Sequence, residues 1–136
     1  MCAAIEFSTR VVRLGRRIAF RHAAGEAELP WMGFAREEVL GWWRLRGAEL
    51  VDLPADRFAQ RSDFDRQIRW SDLPVGHVIR ALLDLTPEEP VIRVLTRPST
   101  PEEHNRLQVT RMPVTDALIF HPAACVPVKI DRGLLL

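Results

Sequence analysis

PVIRVLTRP, residues 90–98, is a run of β-branched and aliphatic residues with a proline at each end. Such a run is typical of a buried strand. Three more stretches predict short strands: STRVVRLGRRIAF (8–20), broken at Gly15; AELVDLPADRFAQR (48–61), two strands around a Pro-containing turn; and VTRMPV (109–114). Because short strands outnumber helices and do not alternate with them regularly, the sequence predicts an α+β fold with mainly antiparallel strands.

The remaining stretches predict helices and one loop. AREEVLGWWRLRG (35–47) predicts a helix that ends at Gly47. RWSDLPVGHVIRALLDL (69–85) predicts a second helix, capped by Ser71 or Asp72, because its apolar residues recur at a 3.6-residue spacing. PSTPEEHNRLQ (98–108) predicts about one helical turn. AAGEAELPWMG (23–33) predicts a turn-rich loop.

The bulk composition predicts one ordinary globular domain. The chain has 136 residues, 47% of them hydrophobic and 27% charged, which suits a single domain, residues 1–136, around one core. We see no signal peptide and no apolar run of about 18 residues that would span a membrane. Two cysteines give no disulfide framework. We therefore expect a cytoplasmic protein that does not bind membranes.

Motifs for metals and nucleotides are absent from the sequence. The histidines and cysteines form no CxxC or HxxxH spacing, and the glycines form neither GxGxxG nor a P-loop. No GxSxG elbow marks a nucleophilic serine. We therefore expect no metal and no cofactor.

Arginine dominates the basic residues. The net charge is +1, yet the 19 basic residues include a single lysine, Lys129. Five arginines fall between Arg10 and Arg21, and a sixth is Arg36. A GC-rich genome, which favours arginine codons, would explain the preference for arginine. The clustering predicts a local cationic face, suited to phosphate because arginine can bind it in a bidentate way.

The second residue, Cys2, offers a particular chemistry. Aminopeptidases remove an initiator methionine that precedes a small residue, so we expect the mature chain to begin with Cys2. That residue would carry an amine and a thiol on adjacent carbons. The amine can condense with a sugar aldehyde, such as that of an abasic site in DNA, and the thiol can close a thiazolidine ring. This reaction needs both groups to be exposed.

Several stretches in order along residues 2–114 together resemble the SOS-response-associated peptidase (SRAP) family, whose members cross-link abasic sites in single-stranded DNA. They are the initial Met-Cys, FAREE (34–38) in place of Asn-Ala-Arg-x-Glu, PADRFAQ (54–60) in place of Pro-Ala-Asp-Gly-Phe-Tyr-Glu, and HNR (104–106) followed by RMPV (111–114). GRRIAFRHAAGEAELPWMGFAREEV (15–39), with WSDLPVGHVIRALL (70–83) further on, looks like a shortened branch of the family that is found among phage-related genes.

The resemblance implies a barrel-like sheet with two or three flanking helices. It also implies a catalytic set of Cys2, His104 and Gln60, in which Gln60 replaces the family's glutamate. The family's histidine falls on Val109 in an ungapped match, and on His104 if five residues are inserted. Phe34 replaces the family's asparagine. The resemblance also implies that Arg36 contacts a DNA phosphate. We expect Arg13, Arg16 and Arg17 of the arginine cluster to contact phosphates as well, and Trp31, Phe34 or a neighbouring tryptophan to stack beside the lesion.

Three functions follow as alternatives. The first is a sensor in the DNA-damage (SOS) response that binds an abasic site in single-stranded DNA and cross-links it through Cys2, after autocatalytic removal of Met1. The second is a degenerate module that binds single-stranded or damaged DNA without covalent chemistry, which Phe34 and Gln60 favour. The third is a phage-accessory domain that binds another protein through the apolar tail LIFHPAACVPV (118–128). A homodimer is left open.

Overall fold

The computed structural model describes residues 1–118 and has an α+β fold that is mostly strand. Its strands are β1 (Cys2–Phe7), β2 (Arg10–Arg13), β3 (Arg17–His22), β4 (Gly25–Arg36), β5 (Glu49–Leu53), β6 (Arg57–Arg61), β7 (Ile68–Asp72), β8 (His77–Asp84), β9 (Val91–Pro98), β10 (Arg111–Pro113) and β11 (Thr115–Ala117). The two short helices are α1 (Leu40–Leu45), which follows a 3-10 turn at Glu37–Val39, and α2 (Pro101–Leu107).

Five of the strands close into a barrel. The order is β9-β4-β3-β5-β8, and β8 pairs with β9 to complete the ring. The short strands β10 and β11 extend it beside β9 and β8. Beside the barrel, β2-β1-β6-β7 form a second sheet. Within residues 1–118, β4 and β9 are the one parallel pair, so the expected mainly antiparallel α+β fold is confirmed.

The strand predictions with the clearest pattern are confirmed. Residues 90–98 form β9, in which Ile92 and Val94 are fully buried. Residues 8–20 contain β2 and most of β3 with Gly15 between them, and residues 48–61 contain β5 and β6. Gly15 has a φ of 93°, a left-handed conformation that glycine adopts without steric cost. The helix expected within 35–47 is also present, as α1.

The predicted helix over 69–85 is wrong, because these residues form β7 and β8. The apolar residues of β8 serve both of its faces. Ile79 and Leu83 belong to the main core, whereas Leu82 belongs to a smaller core with Ala35, Ala48 and Leu95. A strand that is buried on both faces gives a continuous apolar run, and such a run also satisfies a helical spacing.

The predicted loop over 23–33 is wrong as well, because it lies in the twelve-residue strand β4. Pro30 is the last residue that pairs with β3, and Trp31 is the first that pairs with β9. The missing N–H of proline is tolerated where a strand passes from one partner to another. A register shift between Trp31 and Phe34 then includes Gly33, whose φ is 120°.

Helix α2 has a complete capping box. The Thr100 hydroxyl accepts a hydrogen bond from the Glu103 N–H at 3.2 Å, and the Glu103 carboxylate accepts one from the Thr100 N–H at 2.9 Å. Arg97 of β9 donates two hydrogen bonds of 2.7 Å to the same carboxylate, and these bonds lower the pKa of Glu103 to about 2. This arrangement ties α2 to the barrel.

We predict that Thr100→Ala lowers the free energy of unfolding by about 0.5–2 kcal/mol, because the Glu103 N–H loses its acceptor. Thr100→Ser keeps a hydroxyl at the cap and should cost much less. Urea unfolding of the two variants measures the difference. Equal stability of Thr100→Ala and the unmodified protein would show that the cap does not contribute.

Candidate functional site

The N-terminus lies at a cavity of about 460 Å³ between the second sheet and the barrel. We call it the N-terminal cavity. Phe34 of β4 forms the barrel side, beyond the register shift in that strand. The residues that line the cavity are Met1, Cys2, Ala3, Arg13, Leu14, Phe34, Arg61, Asp63 and Arg66.

Positive charge dominates this cavity. Arg13, Arg61 and Arg66 contribute three guanidinium groups, and the Met1 amine adds a fourth cation. The amine donates a hydrogen bond to the Arg61 carbonyl at 3.1 Å and lies 3.9 Å from a carboxylate oxygen of Asp63. Among residues 1–118, Asp63 is the single acid in the lining, so the cavity favours an anionic ligand.

Cys2 lines the N-terminal cavity, but its side chain is buried in the main core. The residue is 3% exposed, and its Sγ donates to the Ala4 carbonyl at 3.8 Å. Burial raises the pKa of the Cys2 thiol from 9.0 to about 12. Since the thiolate is the nucleophile, Cys2 is unreactive in this conformation. The expectation of an exposed thiol is therefore wrong for the chain that retains Met1.

Gln60 is the direct neighbour of Cys2, because the two residues pair across β1 and β6. The side chain is fully buried. Its Nε2 donates to the Arg111 carbonyl at 3.3 Å and contacts the Met112 sulfur at 3.2 Å. Its Oε1 has no hydrogen-bond partner within residues 1–118. Val109 belongs to the same core cluster as Cys2. This neighbourhood brings Cys2 and Gln60 together, and neither Gln60 nor Val109 has a side chain that can transfer a proton.

His104 lies apart from the N-terminal cavity. It is an exposed residue of α2 and lines another cavity of about 420 Å³ with Asp63, Phe64, Asn105, Gln108 and Thr110. Asp63 is the one residue that lines both cavities. The implied catalytic set requires His104 to lie beside Cys2 and Gln60. The structure does not bring these three residues together.

The predicted DNA-binding residues lie in four different places. Arg13 and Phe34 line the N-terminal cavity. Arg16 and Arg17 are exposed but are not among the described residues that line it, and Arg17 is in an ion pair with Glu89 at 3.3 Å. Trp31 is fully buried in the main core, so the expectation that it stacks on a base is wrong.

Arg36 lies on a separate groove of about 410 Å³, beside Trp42 and Trp43. Phe34, two residues earlier in β4, lines this groove as well as the N-terminal cavity. Phe34 therefore connects the two recesses near the end of β4.

Sequence reasoning missed Arg61 and Arg66 as lining residues. Arg61 ends β6, and the turn that follows carries Arg66 with a φ of 63°. The Arg61 guanidinium donates to the Arg66 carbonyl at 3.2 Å. Arg61 could have been predicted from the sequence, because it directly follows Gln60 in the PADRFAQR stretch. Arg66 has no comparable signal, because the turn alone brings it to the N-terminus.

No helix in residues 1–118 is both long enough and apolar enough to cross a membrane. In the same residues, no three His, Cys, Asp or Glu side chains are grouped to hold a metal ion. The predicted protein-binding tail lies outside the described residues from position 119 onward.

The chain matches no family model, no curated protein and no solved structure. The resemblance to the SRAP family therefore rests on the quoted motifs and stays a prediction.

We predict that Gln60→Glu makes stability depend on pH. A carboxyl group at this buried position faces the Arg111 carbonyl, so the folded protein keeps it neutral and raises its pKa. Below the unfolded pKa of about 4.3 the substitution carries no ionisation penalty. Above that pH the unfolded chain ionises, and the free energy of unfolding falls by about 1.4 kcal/mol per pH unit until the folded pKa is reached.

Gln60→Met is the matched control, because it fills a similar volume without a titratable group. Urea unfolding between pH 4 and pH 8 should show a steep loss of stability for Gln60→Glu relative to Gln60→Met. Parallel curves for the two variants would mean that water reaches position 60.

Proposed function

We propose that this chain is a SRAP-like module that binds single-stranded DNA without a covalent bond, with DNA phosphates at the N-terminal cavity. One observation carries the proposal. Nine arginines are in ion pairs with carboxylates in residues 1–118, but Arg13, Arg61 and Arg66 around the cavity are not. Guanidinium groups that converge without a carboxylate partner are suited to phosphate oxygens.

The shape of the site favours a single strand over a duplex. The cations surround a recess with an aromatic wall, Phe34. An unpaired strand can bend so that phosphates meet the arginines while a base contacts a ring. A duplex is usually read by a helix or a ribbon that enters its groove. The resemblance to the SRAP family supports DNA as the nucleic acid.

Covalent cross-linking through Cys2 is the second candidate function. The position of the first three residues at the cavity favours it. Met1, Cys2 and Ala3 all line the cavity, so removal of Met1 would leave the Cys2 amine there. The amine would add to the sugar aldehyde and lose water to give an imine. The thiol would then add to the imine carbon and its proton would pass to nitrogen. This step requires the sulfur to leave the core, and neither Gln60 nor Val109 can transfer a proton.

We predict that Arg13→Gln, Arg61→Gln and Arg66→Gln each weaken binding of an oligothymidylate several-fold. Each should also reduce the slope of log affinity against log salt by about 0.7, because one phosphate contact is lost. Fluorescence anisotropy at several salt concentrations measures both quantities. Arg69→Gln is the matched control, since it removes the same charge from an arginine that is paired with Asp65 at 2.9 Å. An equal loss in that control would contradict a local site.

We also predict that Cys2→Ser leaves the affinity for an abasic single strand unchanged. The assay uses protein whose Met1 has been removed, verified by its intact mass. On a denaturing gel, the unsubstituted protein should give no shifted band, because the pairing of Cys2 with Gln60 should keep the thiol buried after Met1 is removed. A shifted band that disappears in Cys2→Ser would instead establish the covalent candidate.

A further inference from the structure

The groove beside the N-terminal cavity is rich in aromatic side chains. We call it the tryptophan groove. It forms where β4 ends and the 3-10 turn and α1 begin, and its lining residues are Phe34, Ala35, Arg36, Val39, Trp42 and Trp43. Since Phe34 lines both recesses, the groove begins where the cationic cavity ends.

Trp42 is the exposed ring of this groove. Leu40 and Trp43 of α1 pack against the smaller core of the barrel, whereas Trp42 is 48% exposed. Two neighbours hold its ring: Trp43 lies nearly perpendicular at 5.0 Å between centroids, and the Arg46 guanidinium lies 3.7 Å from the ring centroid. Packing of the barrel therefore does not account for a tryptophan at this position.

The charges around the ring favour a nucleic acid over an apolar peptide. Arg36 lines the groove, and the Arg46 guanidinium lies over one face of the Trp42 ring, 3.7 Å from its centroid. The nearby acid Glu38 is held by two hydrogen bonds from Arg111, at 2.6 and 2.7 Å. An exposed ring next to cations combines stacking surface for a base with attraction for the adjoining phosphate.

We infer that the tryptophan groove is a base-binding subsite in which a nucleobase stacks on the face of Trp42 that Arg46 does not cover. Arg36 and Arg46 contact the phosphates of that nucleotide, and the strand continues past Phe34 into the N-terminal cavity. This inference rests on the proposed binding of single-stranded DNA and adds to it the recognition of bases. The groove carries no dedicated partner for base edges among its lining side chains in residues 1–118, so stacking should accept every base.

Two DNA probes distinguish the contribution of the bases to binding from that of the phosphates. One is an oligothymidylate of about 12 nucleotides, and the other is a strand of equal length made of tetrahydrofuran abasic units, which has the phosphates but no bases. We expect Trp42→Ala to weaken binding of oligothymidylate by about 5-fold to 100-fold, the contribution of one stacked base. Binding of the base-free strand should not change. Trp42→Phe should keep most of the affinity.

Trp70→Ala is the matched control. Trp70 is 37% exposed and also has a guanidinium, that of Arg57, 4.3 Å from its ring centroid, but it lines neither recess. The Trp70→Ala substitution should leave the affinities for both strands unchanged. Thermal melting verifies that each variant is folded.

The inference is overturned if Trp42→Ala has no effect, if it weakens both strands equally, or if Trp70→Ala has the same effect. In these three cases the unsubstituted protein still binds DNA, so the proposed function stands. If the unsubstituted protein binds neither strand at low salt, the proposed function fails and the inference fails with it.

Discussion

The pairing of β8 with β9 closes the barrel, and both recesses depend on it. The two strands are antiparallel, with Leu83 opposite Ile92 and Asp84 opposite Val91. An ion pair of 2.8 Å between Arg93 and the buried Asp84 links the same strands and helps to hold the pair together. On its other edge β9 aligns β4 in parallel, from Trp31 to Arg36. The end of β4 then presents Phe34 to one recess and Arg36 to the other.

A second ladder fixes the N-terminus and limits what it can do. The N–H of Arg61 donates to the Met1 carbonyl at 2.9 Å, so β1 begins pairing with β6 at the first peptide bond. Cys2 and Ile5 both belong to the main core although they are three residues apart, and the register shift between Cys2 and Ala4 makes this possible. The pairing that holds Met1 at the cationic cavity thus also buries the Cys2 thiol, and this burial raises the pKa of the thiol.

The sequence was sufficient where local pattern determines structure. Strands β9, β5 and β6 could be predicted because the apolar residues within each stretch are enough to indicate a buried strand. β8 was missed because a strand buried on both faces resembles a helix in spacing. β4 was missed because Pro30 marks a change of partner strand and not a turn. For the site, Arg13 could be predicted from the arginine cluster, whereas Arg66 depends on a turn that returns to the N-terminus.

A net charge of +1 is compatible with an anionic partner because the charges are unevenly paired. Carboxylates neutralise arginines that tie strands together, such as Arg93 and Arg97. Arg13 and Arg66, in contrast, line a recess with a single acid, which leaves a local positive field on a nearly neutral protein. The tryptophans divide in the same way: Trp31 fills the core, whereas Trp42 stays at the surface. Because Phe34 joins the two recesses, the cations and the exposed ring lie along one path. The proposed binding of a single strand needs this arrangement, since each nucleotide carries both a phosphate and a base.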